Sequence, residues 1–151
     1  MRLEVVASLL LALAMPSIAS AEQYFVYAGS YTAEPSSGTR LRVIPGRPAP
    51  QPSTSQGIYG WRFDTATMAL SSLGRVAETA NPAHVWIPPN GKYLYAVNWQ
   101  ENSARVPPGV SVYAIDPKTG ALKFLNKQNS AAANQVVVDP SGKVALVRAG
   151  V

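Results

Sequence analysis

GIYGWRFD at residues 57–64 returns as GVSVYAID at residues 109–116, 52 positions further along the chain. Each copy begins with glycine, continues as an alternating apolar run and ends with aspartate, which is typical of a β-strand that leads into a turn. The residues that follow match at the same offset, because TMAL at 67–70 corresponds to TGAL at 119–122. These matches in register indicate a repeated structural unit.

Two further matches indicate the size of the unit. PNGK at 89–92 corresponds to PSGK at 140–143 at an offset of 51, and FVYA at 25–28 corresponds to YLYA at 93–96 at an offset of 68. Extra residues between Ala33 and Gln56 explain the larger offset. A repeat of about 50 residues with four strands is the signature of propeller blades. We therefore predict an all-β chain, a β-propeller fragment of about two four-stranded blades plus part of a third.

One repeat contains four predicted strands, separated by turns that carry proline, glycine and asparagine. Proline presets φ in such turns, while glycine or asparagine accepts the positive φ that closes a hairpin. Asp64, Asp116 and Asp139 stand at strand ends beside these turns, and we predict that they cap turn amides rather than act as catalytic acids. The predicted strands are Ala83–Ile87, Tyr93–Asn98, Val110–Ile115 and Leu122–Gln128.

Residues 1–21 have the pattern of a secretory signal peptide. Arg2 supplies a positive charge, Val5–Met15 is a run of eleven residues that are apolar except for Ser8, and Ala19-Ser20-Ala21 has the small-x-small form of a cleavage site. The apolar run is too short to cross a hydrocarbon core of about 30 Å, and no later segment predicts a membrane span. We predict cleavage after Ala21 and a secreted or periplasmic mature chain, residues 22–151. A buried N-terminal helix is the alternative.

Composition narrows the class of protein further. The chain has no cysteine, so an exported domain of this kind must be stabilised by a sheet core rather than by disulfides. The net charge is +5, but the basic residues are dispersed, and we predict no nucleic-acid partner. Residues 33–56 contain five prolines and predict a proline-rich exposed loop. A tolerated insertion at a blade edge is the simpler interpretation, and a lid or docking segment is the alternative.

Several short motifs occur together along the chain. They are YAGSYT at 27–32, GIY at 57–59, ANP at 80–82, PNGKYLYAVN at 89–98 and VDPSGK at 138–143. This series resembles the lactonase, or 6-phosphogluconolactonase-like, family of seven-bladed propellers. The resemblance implies a ring with a ligand site at one mouth of its central channel, hydrolysis of a sugar lactone ester, and a small-molecule lactone or sugar-acid partner. It implies no metal and no organic cofactor.

The sequence also departs from the family pattern. Besides the proline-rich insertion, Trp99 and Gln100 precede Glu101 where an acidic residue commonly follows the strand directly. Residues 133–136 replace a Pro-Cys-His-Val type motif, and residues 146–151 depart from an Ala-Asn-Tyr type strand. We expect the chain to be the N-terminal part of a propeller, to be inactive by itself, and to self-associate through open sheet edges.

Lactone opening needs an activated water or nucleophile and hydrogen-bond donors for the carbonyl oxyanion. His84, the chain's only histidine, lies on the predicted innermost strand and is the candidate catalytic residue; a structural histidine is the alternative. Asn98 and Glu101, at a strand end, and Gln135, the repeat equivalent of His84, are candidate substrate-binding residues. Arg148 is a candidate for contact with an anionic substrate group.

Other familiar catalytic signals are absent from the sequence. It has no Gly-x-Ser-x-Gly elbow, no cysteine, no Gly-x-Gly-x-x-Gly loop and no His-x-x-x-His metal pair. Trp61, Trp86 and Trp99 are interpreted as blade packing rather than as sugar platforms. We therefore predict an exported lactonase-like hydrolase. The alternative is a non-catalytic ligand- or protein-binding propeller scaffold, because fold does not fix function.

Overall fold

The computed structural model describes residues 22–32, 54–99, 107–130 and 133–149. These ranges form nine β-strands and contain no helix, so none of them holds a helix that could cross a membrane. The strands are β1 (Gln23–Gly29), β2 (Gly57–Asp64), β3 (Ala69–Glu78), β4 (Pro82–Trp86), β5 (Tyr93–Asn98), β6 (Gly109–Ile115), β7 (Leu122–Asn129), β8 (Ala133–Val138) and β9 (Ala145–Ala149).

The strands form three antiparallel sheets in chain order, β1-β2-β3, β4-β5-β6-β7 and β8-β9. The four strands predicted for one repeat are confirmed as β4 to β7, with ends that differ by at most one residue. The sequence repeat is also visible, because β2-β3 corresponds to β6-β7 and β8-β9 to β4-β5. Since β1 corresponds to β5, the first sheet contributes three strands within the described ranges rather than four.

The core lies between successive sheets, and β5 contributes to both interfaces. Leu94 and Ala96 pack with Ile58 of the first sheet, while Val97 packs with Val136 of the third. Side chains alternate across a strand, so a central strand covered on both faces must be apolar at successive positions. This burial explains why β5 reads as a nearly continuous apolar run.

The glycine that begins each copy of the repeat has a steric role. A Cβ atom on Gly57 would lie 2.3 Å from the carbonyl oxygen of Ala77, and one on Gly109 would lie 2.2 Å from that of Gln128. Real Cβ atoms do not approach backbone oxygen so closely, and only glycine lets the neighbouring strand come this near. The repeated glycine therefore fixes the start of β2 and β6.

The strands of each sheet run between two opposite ends, and we name these two ends of the sheets separately. At the edge that we call the turn edge, short hairpins join β2 to β3, β4 to β5, β6 to β7 and β8 to β9. At the opposite edge, the connection edge, lie the ends of β1, β3, β5 and β7 and the links that lead from them to the next strand. Function in such folds concentrates on the longer connections that a rigid scaffold positions. The predicted proline-rich loop falls between β1 and β2, and its residues 33–53 lie outside the described ranges.

The three aspartates at the turn edge cap turns, as predicted. Oδ1 of Asp64 accepts hydrogen bonds from the amides of Ala66 and Thr67, both at 2.9 Å. The equivalent oxygen of Asp116 accepts from the amides of Lys118 and Thr119 at 2.8 and 3.0 Å. These amide donors stabilise the carboxylates and lower the pKa of both side chains.

Asp139 forms the corresponding turn of the third sheet. Its side chain accepts hydrogen bonds from the Ser141 hydroxyl and, at 2.8 Å, from the Val144 amide. The Ser141 hydrogen bond is the main cause of its lowered pKa, followed by the Val144 amide. All three carboxylates are therefore occupied by local turn structure.

The turn after β6 also contacts β1 of the preceding sheet. The Tyr27 hydroxyl donates to the carbonyl oxygen of Gly120 at 2.8 Å. Gly120 has a φ of 74°, and a Cβ there would lie 2.5 Å from the Phe25 ring, so this position requires glycine. Burial, together with the negative charge of Asp116, raises the pKa of Tyr27 to about 12.

We expect Tyr27→Phe to flatten the alkaline dependence of stability. The neutral phenol is favoured in the folded state, so its contribution is complete below the unfolded pKa of about 10 and is lost as pH rises towards 12. The variant should lose about 1 kcal/mol of unfolding free energy at pH 8, because one hydrogen bond is removed. Urea unfolding at pH 8 and pH 11 measures both effects. If the unfolding free energy of the variant fell between pH 8 and pH 11 by as much as that of the wild type, this account would be contradicted.

The end strands of the sheets are open on one side. β1 and β9 each have one hydrogen-bonded neighbour within the described ranges. Tyr24 and Val26 of β1 and Leu146 and Val147 of β9 are exposed apolar side chains. Unpaired strand edges with apolar side chains favour pairing with another chain. Self-association through these edges stays a prediction.

Candidate functional site

A buried polar network lies at the connection edge, centred on Asn98 at the end of β5. The side chain is 2% exposed. Its Nδ2 donates to Oγ1 of Thr79 at 2.8 Å and to the carbonyl oxygen of Ala80 at 2.6 Å, while its Oδ1 accepts from the Ser111 hydroxyl at 2.5 Å. Buried amides are stable only when hydrogen-bonded in this way. Asn98 thus ties the link between β3 and β4 to β5 and β6.

This arrangement bears on the sequence prediction that Asn98 binds substrate. Its amide is committed to three protein hydrogen bonds and has almost no exposed surface. The contacts therefore favour a positioning role, in which Asn98 holds the edge in shape, over direct contact with a ligand.

Asn81 extends the network to the first sheet. Its side-chain Oδ1 accepts hydrogen bonds from the backbone amide and the hydroxyl of Thr32 at 3.0 and 3.1 Å. The backbone amide of Asn81 donates in turn to the Thr32 hydroxyl at 2.9 Å. Its carbonyl oxygen accepts from the amide of Trp99 at 3.0 Å. Asn81 has a φ of 40°, a left-handed conformation that asparagine tolerates better than most residues. One residue thus joins the chain segments that follow β1 and β5.

Two aromatic residues adjoin this network in the sequence, because Tyr31 precedes Thr32 and Trp99 follows Asn98. The ring centroids of Tyr31 and Trp99 are 6.1 Å apart with an angle of 46° between planes. Tyr31 is 36% exposed and Trp99 is 43% exposed. Trp86 is partly buried against the core, in agreement with the packing interpretation, but Trp99 lies exposed at the connection edge. Trp99 contacts Tyr31 but is partly exposed, so its interpretation as blade packing stays a prediction.

A cleft of about 440 Å³ opens at the same edge. Its volume is within the range of small-molecule sites. The wall begins at Thr32 and passes to the residues just before β2 and at the end of β3. The lining residues are Thr32, Ser55, Gln56, Glu78, Thr79 and Ala80.

His84 lies on β4, the strand of the second sheet that contacts both β1 and β8. It is half-buried, and its Nδ1 accepts a long hydrogen bond from the Val136 amide at 3.5 Å. Because a backbone amide can only donate, Nδ1 is the acceptor in this contact and Nε2 is the ring nitrogen that this contact leaves available as a donor. His84 therefore joins two sheets and retains one donor.

Gln135 and Arg148 are neighbours in the third sheet. Nη1 of Arg148 donates to Oε1 of Gln135 at 3.2 Å, and both side chains are exposed. Gln135 precedes Val136, the residue that contacts His84, so His84 and Gln135 are brought to adjacent strands. The remaining predicted site residue, Glu101, lies outside the described residues. Among the described residues, no group of three His, Cys, Asp or Glu side chains is placed to hold a metal ion.

Sequence reasoning did not select Tyr31, Thr32 or Asn81 as site residues, although all three lie within motifs that it quoted. The signal that could have selected them is position: one motif lies where β1 ends and the other where β4 begins, and both places are at the connection edge. The hydrogen bonds between Thr32 and Asn81 join residues 49 positions apart, and only the packing of the sheets reveals them.

The chain is similar to known lactonases. It is 36% identical to the 6-phosphogluconolactonase of Bacillus subtilis over 74 residues, which are 49% of this chain and 20% of that protein. It is 31% identical to the 6-phosphogluconolactonase of Formosa agariphila over 93 residues, 60% of this chain and 26% of that protein. The chain thus spans about a quarter or less of the length of these relatives.

The fold comparison agrees. The structure of the periplasmic gluconolactonase of Pseudomonas aeruginosa superposes with a TM-score of 0.64 at 22% identity, over 83% of this chain and 31% of that one. The model of the family described as lactonase, 7-bladed beta-propeller, matches residues 25–149, which include most of β1 and all of β2 to β9. The chain therefore belongs to the lactonase family of seven-bladed β-propellers.

Proposed function

We propose that this chain supplies part of the site of an enzyme that hydrolyses the ester of a sugar lactone. The observation that carries the proposal is the family match over residues 25–149, supported by two relatives named as 6-phosphogluconolactonases. The connection edge, with its polar network and cleft, is where we place the site.

The reaction needs few protein groups. Water attacks the lactone carbonyl, the ring C–O bond breaks, and the product is an open hydroxy acid. The barrier falls when donors stabilise the negative oxygen that develops on the carbonyl. In this proposal Nε2–H of His84 is one donor, since its Nδ1 is occupied by the Val136 amide. The exposed amide of Gln135 is a second donor, and Arg148 attracts an anionic group of the substrate or product.

The second candidate function is a non-catalytic binding scaffold. The hydrogen bond between the Val136 amide and His84 favours it, because this contact gives the chain's only histidine a structural role between two sheets. A scaffold would bind a ligand at the connection edge without opening it.

Lactone hydrolysis distinguishes the two. The described sheets amount to fewer than seven blades, so the assay uses a folded chimera in which residues 25–149 replace the matching segment of the Bacillus subtilis relative. Acid release from glucono-1,5-lactone and its 6-phosphate is followed against the spontaneous rate. We expect clear acceleration by the chimera and none by this chain alone, because a site at the channel mouth draws groups from several blades. A chimera that binds the sugar acid without accelerating hydrolysis would favour the scaffold.

We also propose that residues 1–21 direct export, which the pattern of Arg2, the apolar run and Ala19-Ser20-Ala21 supports. Expressed in a Gram-negative host, the protein is expected in the periplasmic fraction with Glu22 as its first residue, as read by N-terminal sequencing. Ala21→Arg should block cleavage, because signal peptidase requires a small residue there. Recovery of cytoplasmic protein that still begins at Met1 would overturn this proposal.

A further inference from the structure

We propose that Asn90 and Gly91, in the hairpin between β4 and β5, form a site of spontaneous deamidation. The modification goes beyond the proposed activity and does not depend on it, because the reaction needs water and no other ligand. Asn90-Gly91 is the one asparagine–glycine pair in the sequence. Every other asparagine is followed by a residue with a side chain, which hinders attack by the following backbone nitrogen on the asparagine amide.

The reaction joins two neighbouring groups and consumes one water molecule. The backbone nitrogen of Gly91 loses its proton and attacks Cγ of Asn90, so a C–N bond forms and the side-chain nitrogen leaves as ammonia. The product is a cyclic succinimide. Water then adds to one of its carbonyl groups and opens the ring, so that Asn90 becomes aspartate or isoaspartate. No group is oxidised or reduced.

The structure leaves the reacting atoms accessible. Asn90 and Gly91 are both exposed, so water can reach them. Gly91 has a φ of 65°, and apart from its chain neighbours no described atom lies within 4 Å of the position that a Cβ would occupy there. Glycine adopts this left-handed conformation without steric cost. The turn therefore has room for the succinimide ring.

Two hydrogen bonds set the conformation from which the reaction starts. The Gly91 amide donates to the carbonyl oxygen of Pro88 at 2.9 Å, and Oδ1 of Asn90 accepts from the Lys92 amide at 3.1 Å. The Gly91 amide must leave Pro88 before its nitrogen can attack. Both bonds belong to an exposed turn, where local opening needs less free energy than it does within a sheet.

The two products differ in their effect on the turn. Aspartate keeps an oxygen that can accept from the Lys92 amide, and Asp64 and Asp116 make the same bond to the amide two residues further on. Isoaspartate instead carries the main chain through Cβ and Cγ, which lengthens the turn and moves Gly91 away from Pro88. We expect the aspartate form to fold like the wild type and the isoaspartate form to destabilise the hairpin.

Incubation of the full chain at pH 8, followed by tryptic digestion and mass spectrometry, measures the reaction. The peptide of residues 76–92 should gain the mass difference between NH2 and OH. This peptide also contains Asn81, but the nitrogen of Pro82 carries no hydrogen and cannot form the succinimide. The gain in mass therefore reports on Asn90.

Asn126, in the tryptic peptide of residues 124–127, is the internal control. It lies on β7, where it pairs with Val112 of β6, and a lysine follows it. Deamidation of Asn90 should be at least about 10-fold faster than that of Asn126, because an exposed turn opens more readily than a paired strand.

Asn90→Ser is the matched variant, because Ser141 occupies the equivalent position in the hairpin between β8 and β9. It should abolish the gain in mass, and Asn90→Asp should unfold at the same urea concentration as the wild type. The proposal is overturned if the wild-type peptide keeps its mass, or if Asn126 reacts as fast as Asn90. A lower urea midpoint for Asn90→Asp would contradict the effect assigned to the aspartate product.

Discussion

Asn98→Ala is expected to lower the free energy of unfolding by about 3 kcal/mol. The substitution removes three hydrogen bonds and leaves the buried Ser111 hydroxyl and the Ala80 carbonyl without their partner. Buried groups that lose a partner are destabilised by more than the net value of the bond itself. Urea unfolding of the full chain, with the slope compared between variants, measures the loss.

Asn126→Ala is the matched control for Asn98→Ala. Asn126 lies exposed on β7 and pairs with Val112, so the same chemical change should alter stability by less than about 0.5 kcal/mol. Ser111→Ala removes one hydrogen bond of the network, and its loss of unfolding free energy should lie between those of Asn98→Ala and Asn126→Ala. If Asn98→Ala were no more destabilising than Asn126→Ala, the network would not stabilise the connection edge.

His84→Ala is expected to lower kcat/KM for lactone hydrolysis by about 10²-fold in the seven-bladed chimera, because an oxyanion donor is lost. His84→Gln keeps a neutral N–H donor and should recover part of the rate. If His84 acted instead as a general base, the glutamine variant should be as slow as the alanine variant, since an amide does not accept a proton near neutral pH. Rates are normalised to folded protein.

A structural role for His84 predicts a different pattern. The contact between Nδ1 and the Val136 amide joins β4 to β8, so loss of the side chain would lower the melting temperature. The specific activity of the folded fraction would then stay close to that of the wild type. Thermal unfolding measured beside kcat/KM separates the two roles, and unchanged specific activity in His84→Ala would contradict the catalytic assignment.

Much of the architecture was predictable from local sequence. The offset of 52 between residues 57–64 and 109–116 identified equivalent strands, and the structure places them as β2 and β6. The predicted strand from Tyr93 to Asn98 has the observed bounds. Asp64, Asp116 and Asp139 cap their turns as expected, because such capping involves residues that are at most five positions apart. Strand alternation and turn chemistry depend on residues close together in the sequence, and the same pattern occurs in each repeat.

The candidate site was less accessible to sequence reasoning. His84 and Gln135 were selected as repeat equivalents, but the chain alone did not show that β4 packs beside β8 and engages Nδ1 of His84. Asn98 was expected to contact substrate, whereas its amide is buried among Thr79, Ala80 and Ser111. Whether an amide at a strand end faces a ligand or its neighbours depends on the sheets packed around it.

The sequence by itself determined the family, the strand order within each repeat and the chemistry of the turns. Tertiary structure decided how the segments after β1, β3 and β5 meet, and hence that Asn81 joins Thr32 to Trp99. The physical reason is separation along the chain: hydrogen bonds between residues 49 positions apart form only after two sheets have packed face to face. That packing also leaves Tyr31 and Trp99 in contact at an exposed edge instead of within the core.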